Sequence, residues 1–478
     1  MSENIQKNPL PCGGGLGMGE TQSIKQGYKQ TSLGILPQEW EVVRLGDICE
    51  FLKGKGISKD DLADNGIPCI RYGELYTIYD EIIQKVVSRT NLDSGELIFS
   101  KANDIVLPTS GETAIDICKA SCVMIDNVAL GGDLNVLRSK QNGAFLSYYI
   151  NHMAKYDIAK LAQGVSIVHL YASELKSLQI PLPPLAEQEK IAQILSVWDK
   201  GISVLKSLIE AKTKRKKALM QRLLTPPTHP LTPPAREGEQ KSHHDTKAPP
   251  LAGGVGVGYS HIENNRNDDK VLDCHDLTAS NLAMTEKNSK AKQSLRFAEF
   301  TDKWQEMRLG DICEITTGSL NANAMVESGK FAFFTCAREV YAIDNYAFDT
   351  EALLVSGNGA NVGYIHYYKG KFNAYQRTYV LDKFSCDILF VKFFLDKYLK
   401  KRIAQEKNEG NTPYIVLSTL QDMKIVLPNS LAEQKKIAQV LSACDKEIEL
   451  LKSKFQCLKT QKKGLMQRLL NGEVRVKC

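Results

Sequence analysis

The feature that most constrains this chain is that it says the same thing twice. Residues 185–224 (LAEQEKIAQILSVWDKGISVLKSLIEAKTKRKKALMQRLL) align without a gap to residues 431–470 (LAEQKKIAQVLSACDKEIELLKSKFQCLKTQKKGLMQRLL), with 24 of 40 positions identical. A shorter pair lies upstream of each: EWEVVRLGDICE at 39–50 and KWQEMRLGDICE at 303–314. The chain is therefore two copies of one unit. Each opens on W-x-x-x-R-L-G-D-I-C-E, runs through a body and closes on a long charged helix. The helices are alike and the bodies differ, and a functional account must explain both.

At 478 residues the chain exceeds one core and suits two ordinary domains with connectors. No apolar run approaches the roughly 20 residues that cross a bilayer, and the N-terminus lacks a basic segment followed by an apolar one, so a cytoplasmic protein without a membrane partner is expected. Twelve cysteines without a C-x-x-C pair point away from zinc or any other metal. Cys49 and Cys313 hold the same place in the two openings and read as small buried hydrophobes in a reducing compartment. Each repeated helix carries nine Lys/Arg against four Asp/Glu, so a chain of net charge +6 has a basic axis and nearly neutral bodies. A polyanion partner is permitted by this pattern without being demanded.

Residues 1–31 read as a disordered leader. The first body, 32–183, alternates short β-rich runs (EVVRL, IPCIRY, ELIF, DIVLP, CVMID) with turn residues, and a helix is expected over 143–161. The second body, 296–428, repeats the style with FAFFTC, ALLVS, GYIHYY and TYVLD, and a helix is expected over 387–407. Both bodies close on a similar strand phrase, LKSLQIPLP at 175–183 and LQDMKIVLP at 420–428. The fold class is α/β (α+β), with two small mixed domains. Between the first helix, 184–224, and the second body lies a Pro/Gly-rich stretch, 225–295, read as a disordered linker long enough to let the two helices lie antiparallel. The second helix covers 429–471, and 472–478 form a tail. Neither glycine cluster, at 13–19 or 253–258, fits G-x-G-x-x-G between a strand and a helix, which excludes dinucleotide binding.

Apolar residues in the long helices follow 4-3 spacing: Ile191, Leu195, Trp198, Ile202, Leu205 and Ile209 in the first, and Ile437, Leu441, Cys444, Ile448, Leu451, Phe455 and Leu458 in the second. That is a coiled-coil seam. Pro183 and Pro184 precede the first helix, and Ser430 with Glu433 forms an S-x-x-E capping box on the second. Pro226 and Pro227 stop the first, and Asn471 with Gly472 the second. Lys216 and Lys462 interrupt the stripe at equivalent positions, where the seam weakens or the helix meets something other than its mate.

Motifs for chemistry are missing. The chain has no G-x-x-x-x-G-K-[ST], no N/D-P-P-aromatic motif, no G-x-S-x-G and no H-E-x-x-H. His169 and His366 are lone histidines on apolar-rich segments and read as packed or surface residues. The expectation is a protein that is not an enzyme, with catalysis left to a partner.

The opening G-Y-K-x-T…L-P-x-x-W-x-x-x-x-L-G-D-I (27–48), the phrase IPLPPLAEQEKIAQIL (180–195) and its recurrence in the second copy resemble the specificity subunit of a type I restriction-modification system. The resemblance covers nearly all of the chain except the leader and the 225–295 stretch. It implies that each body is a target recognition domain reading half of a split sequence in double-stranded DNA. It also implies that the helices pair as an antiparallel coiled coil, docking two modification (methyltransferase) subunits and the restriction (translocase-nuclease) subunits. On this reading the chain binds no cofactor; its partners use S-adenosylmethionine, ATP and Mg to methylate adenine or cut. The helices stay alike because they meet identical partners, and the bodies diverge because they read different bases.

Base-edge readout falls to a few side chains per body, with Arg suited to guanine and Asn or Gln to adenine. Candidates in the first body are Arg71, Tyr72, Ser110, Thr113, Gln163, Ser166 and His169. Those in the second are Arg338, Ser356, Asn358, Asn361, Tyr375, Arg377, Asn411, Thr412 and Tyr414. A reading from another class is a non-catalytic coiled-coil scaffold joining two protein-binding domains.

Overall fold

The computed structural model describes residues 24–164, 167–227, 294–406 and 413–477. It divides into two compact units, Met1–Leu205 with Lys454–Cys478, and Lys206–Ser453. Each unit holds one body, the start of one long helix and the end of the other.

The five-stranded sheet of the first body runs in the order Cys49–Lys53, Leu134–Ser139, Asp104–Pro108, Ser121–Val123 and Ile82–Ile83. The second body has Glu314–Thr317, Thr378–Asp382, Phe348–Ser356, Ile365–Ala374, Phe331–Phe334 and Tyr341–Ile343. The first five strands follow the same path in both. The pairings are antiparallel except the fourth with the fifth, which is parallel in each body. Sequences with little in common thus build one sheet, because the central strands keep both faces buried, Ile105 and Leu107 on one and Val106 on the other, as Leu353 and Val355 on one and Ala352 and Leu354 on the other, while loop lengths change. The first body adds a separate three-stranded sheet built on Leu62–Ile70.

Three expectations need correcting. The leader ends earlier than residue 31: Tyr28–Thr31 pairs with Gly34–Pro37 in a hairpin that leads into the buried Leu36 and Trp40. The helix over 143–161 is two, Gly143–His152 and Lys155–Leu161, and the break turns Ile158 back into the core. ELIF is not a strand. Asp93 accepts from Gly95 N–H and starts a tight turn at Ser94–Glu96, leaving Phe99 a single bridge to Ala129.

The frame that closes each body is repeated at the level of single hydrogen bonds. Glu41–Arg44 pairs antiparallel with Gln179–Leu182, and Trp304–Arg308 with Lys424–Pro428, so that Glu41 opposite Leu182 matches Gln305 opposite Leu427. Leu45 N–H donates to Leu178 O at 3.0 Å, and Leu309 N–H to Met423 O at 2.9 Å. The repeated A-E-Q then enters the long helices, Leu185–Leu223 and Leu431–Leu470. Gln188 donates to Pro183 O at 2.8 Å and accepts from Asn142 N–H at 3.0 Å; Gln434 does the same with Pro428 O at 2.7 Å and Asp387 N–H at 2.8 Å. Asn142 and Asp387 are themselves the N-caps of the body helices Gly143–His152 and Ile388–Gln405. One glutamine thus fixes the angle between the final strand, the body helix and the long helix.

The preceding glutamate closes the other side. Glu187 is buried and accepts from Trp40 Nε1 at 3.0 Å and Arg475 Nε at 2.8 Å. Glu433 accepts from Trp304 Nε1 at 3.3 Å and from Arg296 Nε and Nη2, both at 2.8 Å. The capping box expected at Ser430 is therefore half present. Ser430 Oγ accepts from Glu433 N–H at 3.4 Å, while the Glu433 carboxylate turns inward to the arginine and tryptophan.

Arg296 and Arg475 come from unlike places, one at the start of the second body and one in the tail. Their settings nevertheless match, since Leu295 N–H donates to Arg222 O at 3.1 Å and Val474 N–H to Arg468 O at 3.0 Å. The tail and the entry to the second body are equivalent pieces of the frame, one in each unit. Residues 472–477 pack against the first body: Gly472, at φ +74°, turns the chain beside Trp40, and Val474 and Val476 pack on the first core.

Within each unit the long helices run antiparallel. In the second, Lys212 pairs with Glu447 and Lys216 with Asp445, both at 2.5 Å; in the first, Lys462 pairs with Asp199. The seam does two jobs. Ile191 and Leu195, joined by Met466, Leu469 and Leu470, belong to the first body's core, while Ile437 and Leu441 with Leu223 and Leu224 belong to the second's. Trp198, Ile202, Ile209, Leu451, Phe455 and Leu458 are half-buried, and Leu205 and Ile448 are buried.

Candidate nucleic-acid interface

In the second body the candidates gather at one end of the six-stranded sheet, where strand order brings distant loops together. Gly357 N–H donates to Arg377 O at 2.8 Å, and Ile415 N–H to Gly357 O at 2.9 Å. A Cβ at Gly357 would lie 2.4 Å from the Arg377 carbonyl oxygen, so this approach requires glycine. Asn358 bridges Tyr414, and Gly359 N–H donates to Pro413 O at 2.9 Å. Tyr375 N–H donates to Phe334 O, Cys336 Sγ approaches Arg377 O at 3.4 Å, and Arg338 Nε meets Asn361 Oδ1 at 3.3 Å. Arg338, Asn358, Asn361, Tyr375, Arg377 and Tyr414 thus belong to one cluster of loops.

Ser356 does not join them. It is 1% exposed, the last residue of a central strand, and its hydroxyl points into the protein. Asn411 and Thr412 lie outside the described residues.

Two open clefts mark this end. One, of about 290 Å³, is lined by Gly357, Gln376, Arg377, Tyr379 and Ile415. The other, of about 280 Å³, includes Arg338, Asn361, Tyr364 and Lys400. Sequence reasoning missed Gln376, which donates to Asn321 Oδ1 at 3.2 Å, and Lys400, which sits on the body helix. An amide between two chosen residues, Tyr375 and Arg377, was a signal for Gln376. Nothing in the sequence placed Lys400 beside a loop sixty residues away.

The first body brings fewer candidates together. Ser110 lies opposite His169 in a two-residue antiparallel pair, and Gln163 exchanges backbone hydrogen bonds with His169 at 2.7 and 2.9 Å. Tyr76 donates to Ser110 O at 3.1 Å, and Tyr171 stacks on His169 with ring centroids 6.2 Å apart. These two tyrosines were not among the candidates. Tyr72 is exposed.

Two candidates are already engaged within the fold. Arg71 Nε faces the carboxylate of the buried Glu74 at 3.4 Å, and Glu74 is also held by Ser88 at 2.6 Å. Thr113 donates to Asp116 at 2.6 Å and receives its backbone N–H, closing a short turn. Ser166 lies outside the described residues. The gathered groups are hydrogen-bonding amides, guanidinium groups and phenols, suited to reading donor and acceptor patterns. Cys49 and Cys313 are buried in the frame, and burial pushes their thiols up to about 11 and about 12, away from reactivity.

Two mixed α/β bodies, each closed by the same helical frame and each ending in different loops, define a duplicated recognition subunit. The family model for the type I restriction modification DNA specificity domain matches twice, over residues 37–212 and 301–460, together more than half of the chain. The chain belongs to this family of type I restriction-modification specificity subunits, and its function is DNA sequence recognition. It is 38% identical over 176 residues to the type I restriction enzyme EcoDI specificity subunit of Escherichia coli, a match covering 36% of this chain and 38% of that subunit's length. It is 23% identical to the MjaVIII specificity subunit of Methanocaldococcus jannaschii, over 92% of this chain and 94% of the relative. A crystal structure of the S subunit of a type I restriction-modification system from M. genitalium shares the fold, with a TM-score of 0.56 at 19% identity, covering 90% of this chain and 96% of that one. Among the described residues no helix is long and apolar enough to cross a membrane.

Proposed function

We propose that this chain reads an asymmetric, two-part target in double-stranded DNA, one part with each body, and directs partner subunits to it. Two modification subunits, using S-adenosylmethionine, methylate adenine at the site; restriction subunits, using ATP and Mg, act on unmodified DNA. This chain supplies the address and no catalytic group.

One observation carries the reading. The Gln, Glu, Trp and Arg contacts of the frame are duplicated bond for bond, while the loops at the sheet ends are not. A scaffold that joined two protein-binding domains would not require this contrast, whereas a subunit that presents two different readers to identical partners does. Methylated adenines mapped across the source genome, with the gene intact and deleted, test it. The expected result is loss of one split, asymmetric motif on deletion; an unchanged map contradicts the proposal.

A further inference from the structure

Arg338 is set apart from the other candidates by surroundings that fix its orientation without neutralising it. It follows the strand Phe331–Phe334 and is exposed. Its Nε donates to Asn361 Oδ1 at 3.3 Å, and its guanidinium lies 5.6 Å from the centre of the Tyr364 ring. Asn361 is held in turn, donating from Nδ2 to Cys336 O at 3.1 Å. Chemistry dictates that amide's orientation, because a carbonyl only accepts and a guanidinium only donates; the flipped amide would set like against like at both ends. His366 Nε2 meets Ala337 O at 3.0 Å, which steadies the segment carrying Arg338.

The contrast with Arg71 is one of charge. The partner of Arg71 is a buried carboxylate, so that pair presents little net charge outward. The partner of Arg338 is a neutral amide, so the full positive charge remains. With Nε engaged, the Nη1–Nη2 edge is left, two parallel donors whose spacing matches guanine O6 and N7. An arginine already held loses less side-chain freedom on binding than a free one. Lys400 lines the same cleft and adds a compact charge suited to a phosphate.

We infer that Arg338 reads a guanine in the half-site of the second body, that Asn361 is a positioning residue acting through Arg338, and that Lys400 meets a neighbouring phosphate. The inference rests on the chain being a DNA specificity subunit, and the two fail differently. A methylation map unchanged by deletion overturns the reading itself, and the inference with it. With the motif in hand, binding of the complex assembled with its methyltransferase subunits is measured on duplexes carrying every single base-pair change in that motif, and on duplexes with each guanine replaced by 7-deazaguanine.

Arg338→Ala is expected to lower discrimination about 10- to 100-fold at one G·C pair, the same pair at which 7-deazaguanine weakens the native complex. Asn361→Ala lowers discrimination at that same pair, and adds nothing in the Arg338→Ala background. Asn361→Asp, which gives Arg338 the carboxylate partner that Arg71 already has and sets an oxygen against Cys336 O, weakens binding of the duplex carrying that pair. Lys400→Ala weakens all duplexes alike and reduces the salt slope by about one. Thermal unfolding of each variant checks that the body stays folded. An equal loss by Arg338→Ala on every sequence makes it a phosphate contact and overturns the inference. So does an effect of Asn361→Ala at a different base pair, which makes Asn361 a reader in its own right.

Discussion

At one point on the frame the two units can be compared atom by atom. In the first, the Lys462 ammonium pairs with Asp199 and sits 5.3 Å from the centre of the Tyr148 ring, whose hydroxyl donates to the same Asp199 at 2.5 Å. In the second, Lys216 pairs with Asp445 and sits 5.2 Å from the Phe393 ring, which has no hydroxyl to donate. The Glu187 and Glu433 sites differ in the opposite sense. Arg296 is 8% exposed at its side chain and Arg475 34%. Each unit is thus sealed more tightly at a different contact, the first at its lysine and the second at its glutamate. Divergence of the bodies has tuned the frame's closure without changing its plan.

The largest effect is expected at the tighter glutamate. Glu433→Ala leaves Arg296 buried without its carboxylate and should cost the second unit about 3–5 kcal/mol. Glu187→Ala, with the more exposed Arg475, should cost the first unit about 1.5–3 kcal/mol. Hydrogen exchange resolved by segment reads both, and equal losses would break the comparison.

Acid should separate the units next. Burial pushes the Glu81 carboxyl upward, yet the hydrogen bond from His152 and the charges of Lys462 and Lys119 outweigh it and hold the group at about 2. A carboxylate with a depressed folded value stabilises above its unfolded value and loses that contribution as pH falls through the folded one. The first unit should therefore lose on the order of 3 kcal/mol as pH falls from 4.5 toward 2. In the second unit burial instead raises the Asp382 carboxyl, so that group gives up stability as pH rises. Glu81→Gln should flatten the acid limb of the first unit alone; a limb that persists would assign it elsewhere.

Tyr148→Phe makes the two lysine sites alike and should cost the first unit about 1.5 kcal/mol by denaturant unfolding. A loss spread over both units would sink the comparison. The smallest effect is expected from replacing residues 225–294 by Asn-Gly-Glu, the three residues that join Leu470 to Val474 in the other copy. Because Leu295 returns to Arg222 as Val474 does to Arg468, stability should change by no more than about 0.5 kcal/mol. Loss of the second unit's fold would show the long connector to be structural.

The frame was legible because it is written twice. Duplication exposed the long helices, the final strands and the equivalence of Lys216 with Lys462. It did not expose what the lysines touch, since Asp199, Asp445, Tyr148 and Phe393 are assembled by packing of remote segments. The role of the tail was not legible for a related reason: it repeats Leu295–Arg296–Phe297 only as Val474–Arg475–Val476, too short a match to find by alignment. The candidate cluster was legible in part. Loop residues of the second body converge because strand order places their loops side by side. Ser356 ends the strand Phe348–Ser356 with its side chain inside, a facing that the phrase ALLVS did not reveal, and Arg71 is met by a glutamate three residues on whose burial periodicity could not reveal.

The claim that interchangeable bodies read DNA from a common frame is tested most directly by replacing residues 45–178 with 309–423. These joins lie at the matched hydrogen bonds of Leu45 with Leu178 and Leu309 with Met423. The adenine methylation map of cells carrying only this chain should show a symmetric motif, built from two inverted copies of the half-site assigned to the second body. Survival of the original asymmetric motif would contradict the account.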